Sequence, residues 1–130
     1  MPREILNPAQ IHPPPGYSHV VKATGSRLAF VAGQAAIDRD FNVVGAGDLE
    51  AQTRQVMTNL NHALDALGAT WQDVVNATVY TTQPTEYETI GRAMSEGMGG
   101  AEPPAQVIAG VTSLALADLL VEIELVVSLP

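Results

Sequence analysis

Two glutamates, Glu122 and Glu124, interrupt the otherwise apolar run LLVEIELVV at residues 119–127. Strand side chains alternate between faces. Leu119, Val121, Ile123, Leu125 and Val127 therefore line one unbroken apolar face, and Leu120, Glu122, Glu124 and Val126 line the other. Carboxylates two residues apart on one strand face are roughly 7 Å apart at the backbone. Where water is limited such a pair resists double ionisation. One of them, placed beside a substrate, can serve as a general acid or base toward water. The competing reading is a solvated strand face.

Other chemistries lack support. His12, His19 and His62 are scattered, without the spacing of a metal-binding pair. There is no cysteine, which removes disulfides, thiolate metal sites and a thiol nucleophile. Phosphate-binding glycine loops and the GxSxG elbow are absent from the sequence, so no metal and no cofactor is expected. The formal net charge is −8 and Lys22 is the only lysine. Affinity for nucleic acid rests on neutralising phosphates, so no nucleic-acid partner is expected. No apolar stretch approaches the ~18 residues of a membrane span, and the N-terminus lacks the layout of a secretory signal. A cytoplasmic protein is the expectation.

The elements that must position these residues follow from the pattern. Charged residues make up 15% and apolar ones 46%, the balance of a globular chain, and one domain over residues 1–130 is expected. The opening reads as a loop, broken by Asn7-Pro8 and Pro13-Pro14-Pro15-Gly16. A strand over 17–24 and a return strand over 28–37 are joined by Gly25-Ser26 as a hairpin turn. Asp48 caps a long helix ending at Gly68, with Leu49, Thr53, Val56, Met57, Leu60 and Leu64 on its core face. Its opposite face, with Gln52, Arg54, Gln55, Asn59, His62 and Asp65, is expected to meet solvent. A β-branched strand over 74–82 precedes a second helix that Pro84 starts and Gly99-Gly100 ends. Gly91 and Gly97 lie inside that helix, each costing roughly 1 kcal/mol relative to alanine. An extended segment over 105–111 and the glutamate strand complete an α+β sheet with both helices on one face.

The segments PPPGYSHVV, FVAGQAAID, GDLEAQTRQVMTNL, ALGATWQDVVNATVYTT, PPAQVIAGVTSL and LLVEIELVV occur in that order. In order and spacing they resemble the Rid family, also called the YjgF/YER057c/UK114 or L-PSP family, from about Gly16 to Val127. The resemblance implies a chorismate-mutase-like α+β fold with a mostly antiparallel, mixed sheet, assembled as a homotrimer with small-molecule clefts between subunits. For one subgroup it implies hydrolysis of enamines and imines to a carbonyl compound and ammonia, without a cofactor. Other members are described as ribonucleases, translation inhibitors or ligand-binding proteins.

Carried over residue by residue, the resemblance assigns Glu122 the catalytic role of holding or activating water. It assigns ligand binding to Tyr17, Gly33 and the preceding Ala32, where the family has Ser. Gly91 stands where the second helix offers Asn, and Gln106 where the deaminase subgroup has Arg. That last departure has a physical meaning. Arg forms a charge-assisted, bidentate pair with a carboxylate, whereas Gln offers a neutral hydrogen bond. Arg54 and Arg92 are the residues that could restore the charge. Three readings stay open: an imine or enamine hydrolase acting on a neutral or differently anchored substrate, a non-catalytic binder of a small metabolite, and, least favoured by the charge, a ribonuclease.

Overall fold

The computed structural model describes residues 3–130. Four strands form the main sheet: β3 (Arg27–Ala35), β4 (Val74–Thr81), β5 (Ala105–Gly110) and β6 (Val121–Leu129), in the order β3-β6-β4-β5. β6 runs antiparallel to both neighbours, while β4 and β5 are parallel. Parallel neighbours need a crossover, supplied here by a 3-10 turn, Pro84–Glu86, and helix α2 (Tyr87–Gly97). Helix α1 (Leu49–Leu67) fills the β3–β4 connection. Asp48 caps it by accepting from the Ala51 N–H, and Gly68 closes it in the left-handed conformation, φ 65°. The mixed α+β sheet with two helices on one face is the architecture expected.

One apolar cluster joins the helices to the sheet through Val56, Leu60, Ile90, Met94, Ile123 and Leu125. Each such side chain, fully buried, contributes roughly 1.5–3 kcal/mol. The apolar face of β6 is the core face: Val121, Ile123 and Val127 have no exposed surface. Glu122 and Glu124 consequently lie on the face without helices.

Two expectations fail. The first is the hairpin at Gly25-Ser26. Strand β2 (Val20–Ala23) pairs instead with β1 (Arg3–Leu6), in a segment expected to be loop, and β3 pairs with β6. The chain turns a corner at Gly25, whose N–H donates to Ser128 Oγ, and a Cβ there would strike the Leu129 carbonyl. β1 is pinned by the buried Arg3 guanidinium, which donates to the carbonyls of Val74 (2.8 Å) and Glu102 (2.7 Å).

The second concerns the polar face of α1. Gln52 is fully buried, not solvated. Its Nε2 donates to the carbonyls of Asp118 (2.8 Å) and Gly45 (3.2 Å), and its Oε1 accepts from the Leu120 N–H (2.8 Å). Asn59 Nδ2 likewise donates to the carbonyls of Ala35 and Ile37, each at 3.1 Å. Helix periodicity separates polar from apolar positions but cannot tell water from a backbone partner.

Gln52→Leu keeps the volume and takes the partner from the Leu120 N–H and the Asp118 carbonyl, while the Gly45 carbonyl keeps the Asp48 N–H. A buried unsatisfied group costs about 1–3 kcal/mol, so urea unfolding should show a loss of about 1–3 kcal/mol. A loss under about 0.5 kcal/mol would mean that this amide does not organise the region.

Candidate functional site

In the parallel ladder Gln106 on β5 pairs with the buried Ala77 of β4, which turns its side chain toward the helices. There a cleft of about 710 Å³ is lined by Tyr17, Pro84, Tyr87, Gly91, Arg92 and Gln106, with further residues at its rim. Small-molecule sites occupy roughly 300–1,000 Å³. Gln106 Oε1 is buried and has no hydrogen-bond partner among the described residues, an uncommon state for a buried polar atom. The two helix glycines separate in purpose. A Cβ on Gly97 would crowd the Met57 side chain, whereas one on Gly91 meets nothing within 4 Å. Gly97 serves helix packing, and Gly91 leaves the cleft open.

Tyr17 reaches this cleft from a loop tied to β5, where the Ser18 N–H donates to the Pro104 carbonyl at 3.0 Å. The Tyr17 hydroxyl shares a hydrogen bond with His12 Nε2, and His19 Nε2 donates to the His12 carbonyl at 2.7 Å. The three rings meet edge to face, with centroids 4.8–6.1 Å apart. The sequence pattern leaves His12 and His19 unassigned, because their contact arises from the loop's path.

On the other face Glu122 stands between Ala35 of β3 and Tyr80 of β4. The β3 bulge between Val31 and Gln34 carries Ala32 and Gly33. Any Cβ at Gly33 would collide with the Glu122 carboxylate. A side chain at residue 33 would push the carboxylate aside, so glycine permits this close approach. Glu122 is half-buried and has no hydrogen bond or ion pair among the described residues. Glu124 differs: the Tyr80 hydroxyl donates to its Oε1 at 2.8 Å. That bond is the chief reason the Tyr80 hydroxyl titrates above its ordinary 10.0, with desolvation and the charges of Glu124 and Glu122 adding to it. In the sequence Tyr80 stands only as one residue of the β-branched strand over 74–82.

The chain thus gathers its candidate residues into two sets. Tyr17, Gly91 and Gln106 share the cleft, while Ala32, Gly33 and Glu122 share the uncovered face. Within one chain Glu122 lies against Gly33, and Gln106 is on the opposite face of the sheet. Arg54 is occupied by Glu50 (2.9 Å) and Glu96 (3.0 Å), which removes it as a replacement charge. Arg92 lines the cleft. No group of three or more His, Asp or Glu among the described residues could hold a metal ion. None of their helices is long and apolar enough to cross a membrane.

The sequence model described as endoribonuclease L-PSP matches residues 8–129. A RutC family protein of Synechocystis sp. is 33% identical, aligned over 100% of this chain and 99% of its own. The crystal structure of YyfB from Yersinia pestis, a protein of unknown function of the conserved Rid family, superposes with a TM-score of 0.94. It is 38% identical and the match covers 99% of this chain and 100% of that one. The chain belongs to the Rid family. A more partial match within it is the 3-aminoacrylate deaminase RutC of Acinetobacter baylyi, 31% identical over 74% of this chain and 75% of that protein. The Rid fold accounts for the sheet order and for the single face that the helices cover.

The raised Tyr80 titration has a signed consequence. A group whose folded pKa exceeds its unfolded value adds stability below the unfolded pKa and loses it as pH rises through the folded one. Tyr80–Glu124 should therefore stabilise the sheet at neutral pH and weaken above about pH 10. Ultraviolet titration of tyrosinate should show the Tyr80 step moving down in Glu124→Gln and vanishing in Tyr80→Phe. An unchanged step in Glu124→Gln would assign the shift to another group.

Proposed function

We propose that this Rid-family protein binds a small metabolite in a cleft between copies of itself and hydrolyses an enamine or imine to a carbonyl compound and ammonia. The observation that carries the reading is Glu122, a carboxylate pressed against a glycine on a sheet face that no helix covers, with no hydrogen bond or ion pair among the described residues. Water adds across the C=N bond, giving a carbinolamine, and the amine leaves as ammonia when the C=O bond forms. Glu122 takes the proton of the attacking water and returns it to the departing nitrogen, the general-acid/base work of a single positioned group.

The assembly follows from the two faces. Glu122 and the Gln106 cleft lie on opposite sides of one sheet, so a ligand touching both needs a second chain. The uncovered face supplies apolar surface for that chain: Phe30 is 75% exposed, Val107 54% and Leu28 53%. Large exposed apolar side chains clustered on one face mark interaction surface. A homotrimer is the closed assembly that the family resemblance implies. The A. baylyi relative's name, a 3-aminoacrylate deaminase, supports an enamine as the substrate class.

Light scattering should give three times the 13.7 kDa chain mass, and a monomer at micromolar concentration would remove the shared cleft. Imines generated in situ by an amino-acid oxidase should lose ammonia faster with the protein present. Glu122→Gln should slow turnover about 100-fold while the trimer persists. Full turnover in that variant would take the catalytic role from Glu122, and ligand binding without any turnover would make the protein a binder.

A further inference from the structure

Two carboxylates and one phenol share the uncovered face of the sheet, and the phenol is bonded to the carboxylate farther from it in the ladder. Tyr80 on β4 stands directly across from Glu122 on β6, and Thr78 stands across from Glu124. Side chains directly opposite are about 4.5–5.5 Å apart at Cβ, and diagonal ones roughly 7–8 Å, still within reach of an aromatic ring. The Tyr80 hydroxyl passes over its direct partner and donates to the diagonal one, Glu124 Oε1, at 2.8 Å. Glu122 turns the other way, toward β3, into the space that Gly33 leaves without a Cβ. The bond to Glu124 is the main cause of the raised Tyr80 titration and the Glu122 charge the last, so the hydroxyl stands in the field of both carboxylates. No other ionisable group on these strands competes for it. Tyr80 is the only titratable residue of β4, and β6 carries only the two glutamates. Arg27, the only charged residue of β3, lies at the far end of that strand, paired with Leu129.

A carboxylate that accepts a hydrogen bond is stabilised in its charged form and becomes a weaker base. We propose that Glu124 is a positioning residue that holds the Tyr80 hydroxyl away from Glu122 and so keeps Glu122 free to take a proton from water. Gly33 serves the same end from the opposite side, because the carboxylate that leans over it is drawn away from Tyr80. One glutamate of the strand occupies the donor, and the other is left for chemistry. Without Glu124, the remaining carboxylate in the field of the hydroxyl is Glu122, its partner across the ladder. This inference rests on the reading of Glu122 as the general base, and it names what keeps that base available.

Three variants of the assembled protein separate the contributions. Glu124→Gln removes the charge and keeps an oxygen to accept from the hydroxyl. Glu124→Leu removes both, and Glu124→Leu combined with Tyr80→Phe removes the donor as well. Imine turnover at neutral pH should fall about tenfold in Glu124→Leu, the effect of engaging the base in one charge-assisted hydrogen bond. The acid limb of its pH profile should move to lower pH, and further than in Glu124→Gln, because a bonded carboxylate keeps its charge into stronger acid. Glu124→Gln should keep most of the rate, and adding Tyr80→Phe to Glu124→Leu should restore it. A merely structural Tyr80–Glu124 bond would give the opposite order, with the double variant losing more than the single one. Ultraviolet titration follows the hydroxyl without turnover. The Tyr80 step, identified by its absence in Tyr80→Phe, should stay raised in Glu124→Leu and reach its ordinary position only when Glu122→Gln is added. A step already at its ordinary position in Glu124→Leu, or a double variant no faster than Glu124→Leu, would overturn the proposal. Glu124→Ala replaces Glu124→Leu in both measurements if melting curves show that leucine disturbs the fold. The hydrolase reading fails separately: absence of wild-type turnover on every imine removes it, and the titration then still supports or overturns the placing of the hydroxyl.

Discussion

The side-chain amide of Gln52 ties three parts of the chain that carry the candidate site. It is the buried polar group of α1 that bonds to the Gly45 turn, to Asp118 and to Leu120 at the start of β6. Leu120 is two residues from Glu122, so the entry of β6 into the sheet is set by a helix rather than by strand pairing alone. Asn59, two turns along the same helix, bonds the carbonyls of Ala35 and Ile37 and so fixes the exit of β3. The bulge with Gly33 and the strand with Glu122 are thus held from one helix face. Bonds of this kind contribute only about 1 kcal/mol net when made, but their loss exposes buried backbone groups at a larger cost. The register that presses Glu122 against Gly33 depends on that asymmetry.

A sheet with helices on one side offers two chemically different surfaces, and this protein uses both. The helix side is closed by apolar packing except where Gly91 removes a side chain and opens the cleft to Gln106. The other side carries carboxylates among apolar residues, with one of them, Glu124, already satisfied by Tyr80. That pairing distinguishes two glutamates of identical type and near-identical surroundings. Glu124 is committed to the sheet, while Glu122 keeps its lone pairs for water, ligand or another chain. The division also separates the candidate residues into two sets within one chain.

Much of this was legible in the sequence, and the failures share a cause. Alternation placed Glu122 opposite the core, helical spacing defined the core face of α1, and Asp48 and Gly68 marked its ends. The Rid resemblance rested on ordered motifs and supplied the fold. What escaped were pairings that local pattern does not encode. Gly25-Ser26 has the composition of a hairpin turn, but the strand after it finds β6, about a hundred residues away in sequence, and β2 takes the unexpected β1. Gln52 and Asn59 read as solvated because a helical wheel registers polarity and not partners. Motif spacing puts Gln106 where the deaminase subgroup has arginine, yet its burial and missing donor needed coordinates.

Charge decides how an acid can bind to a protein of net charge −8. At physiological salt the screening length is about 8 Å, so most of those carboxylates act weakly on a ligand in the cleft. The groups within that reach carry the balance. Arg92 and Glu88 both line the cleft and nearly cancel, which penalises a plain anion less than the net charge suggests and favours a ligand that is itself dipolar. A strand arginine in place of Gln106 would add a second cation and tip that balance toward anions. On this electrostatic ground the cleft sets a balanced pair of charges, Arg92 and Glu88, beside the neutral amide of Gln106.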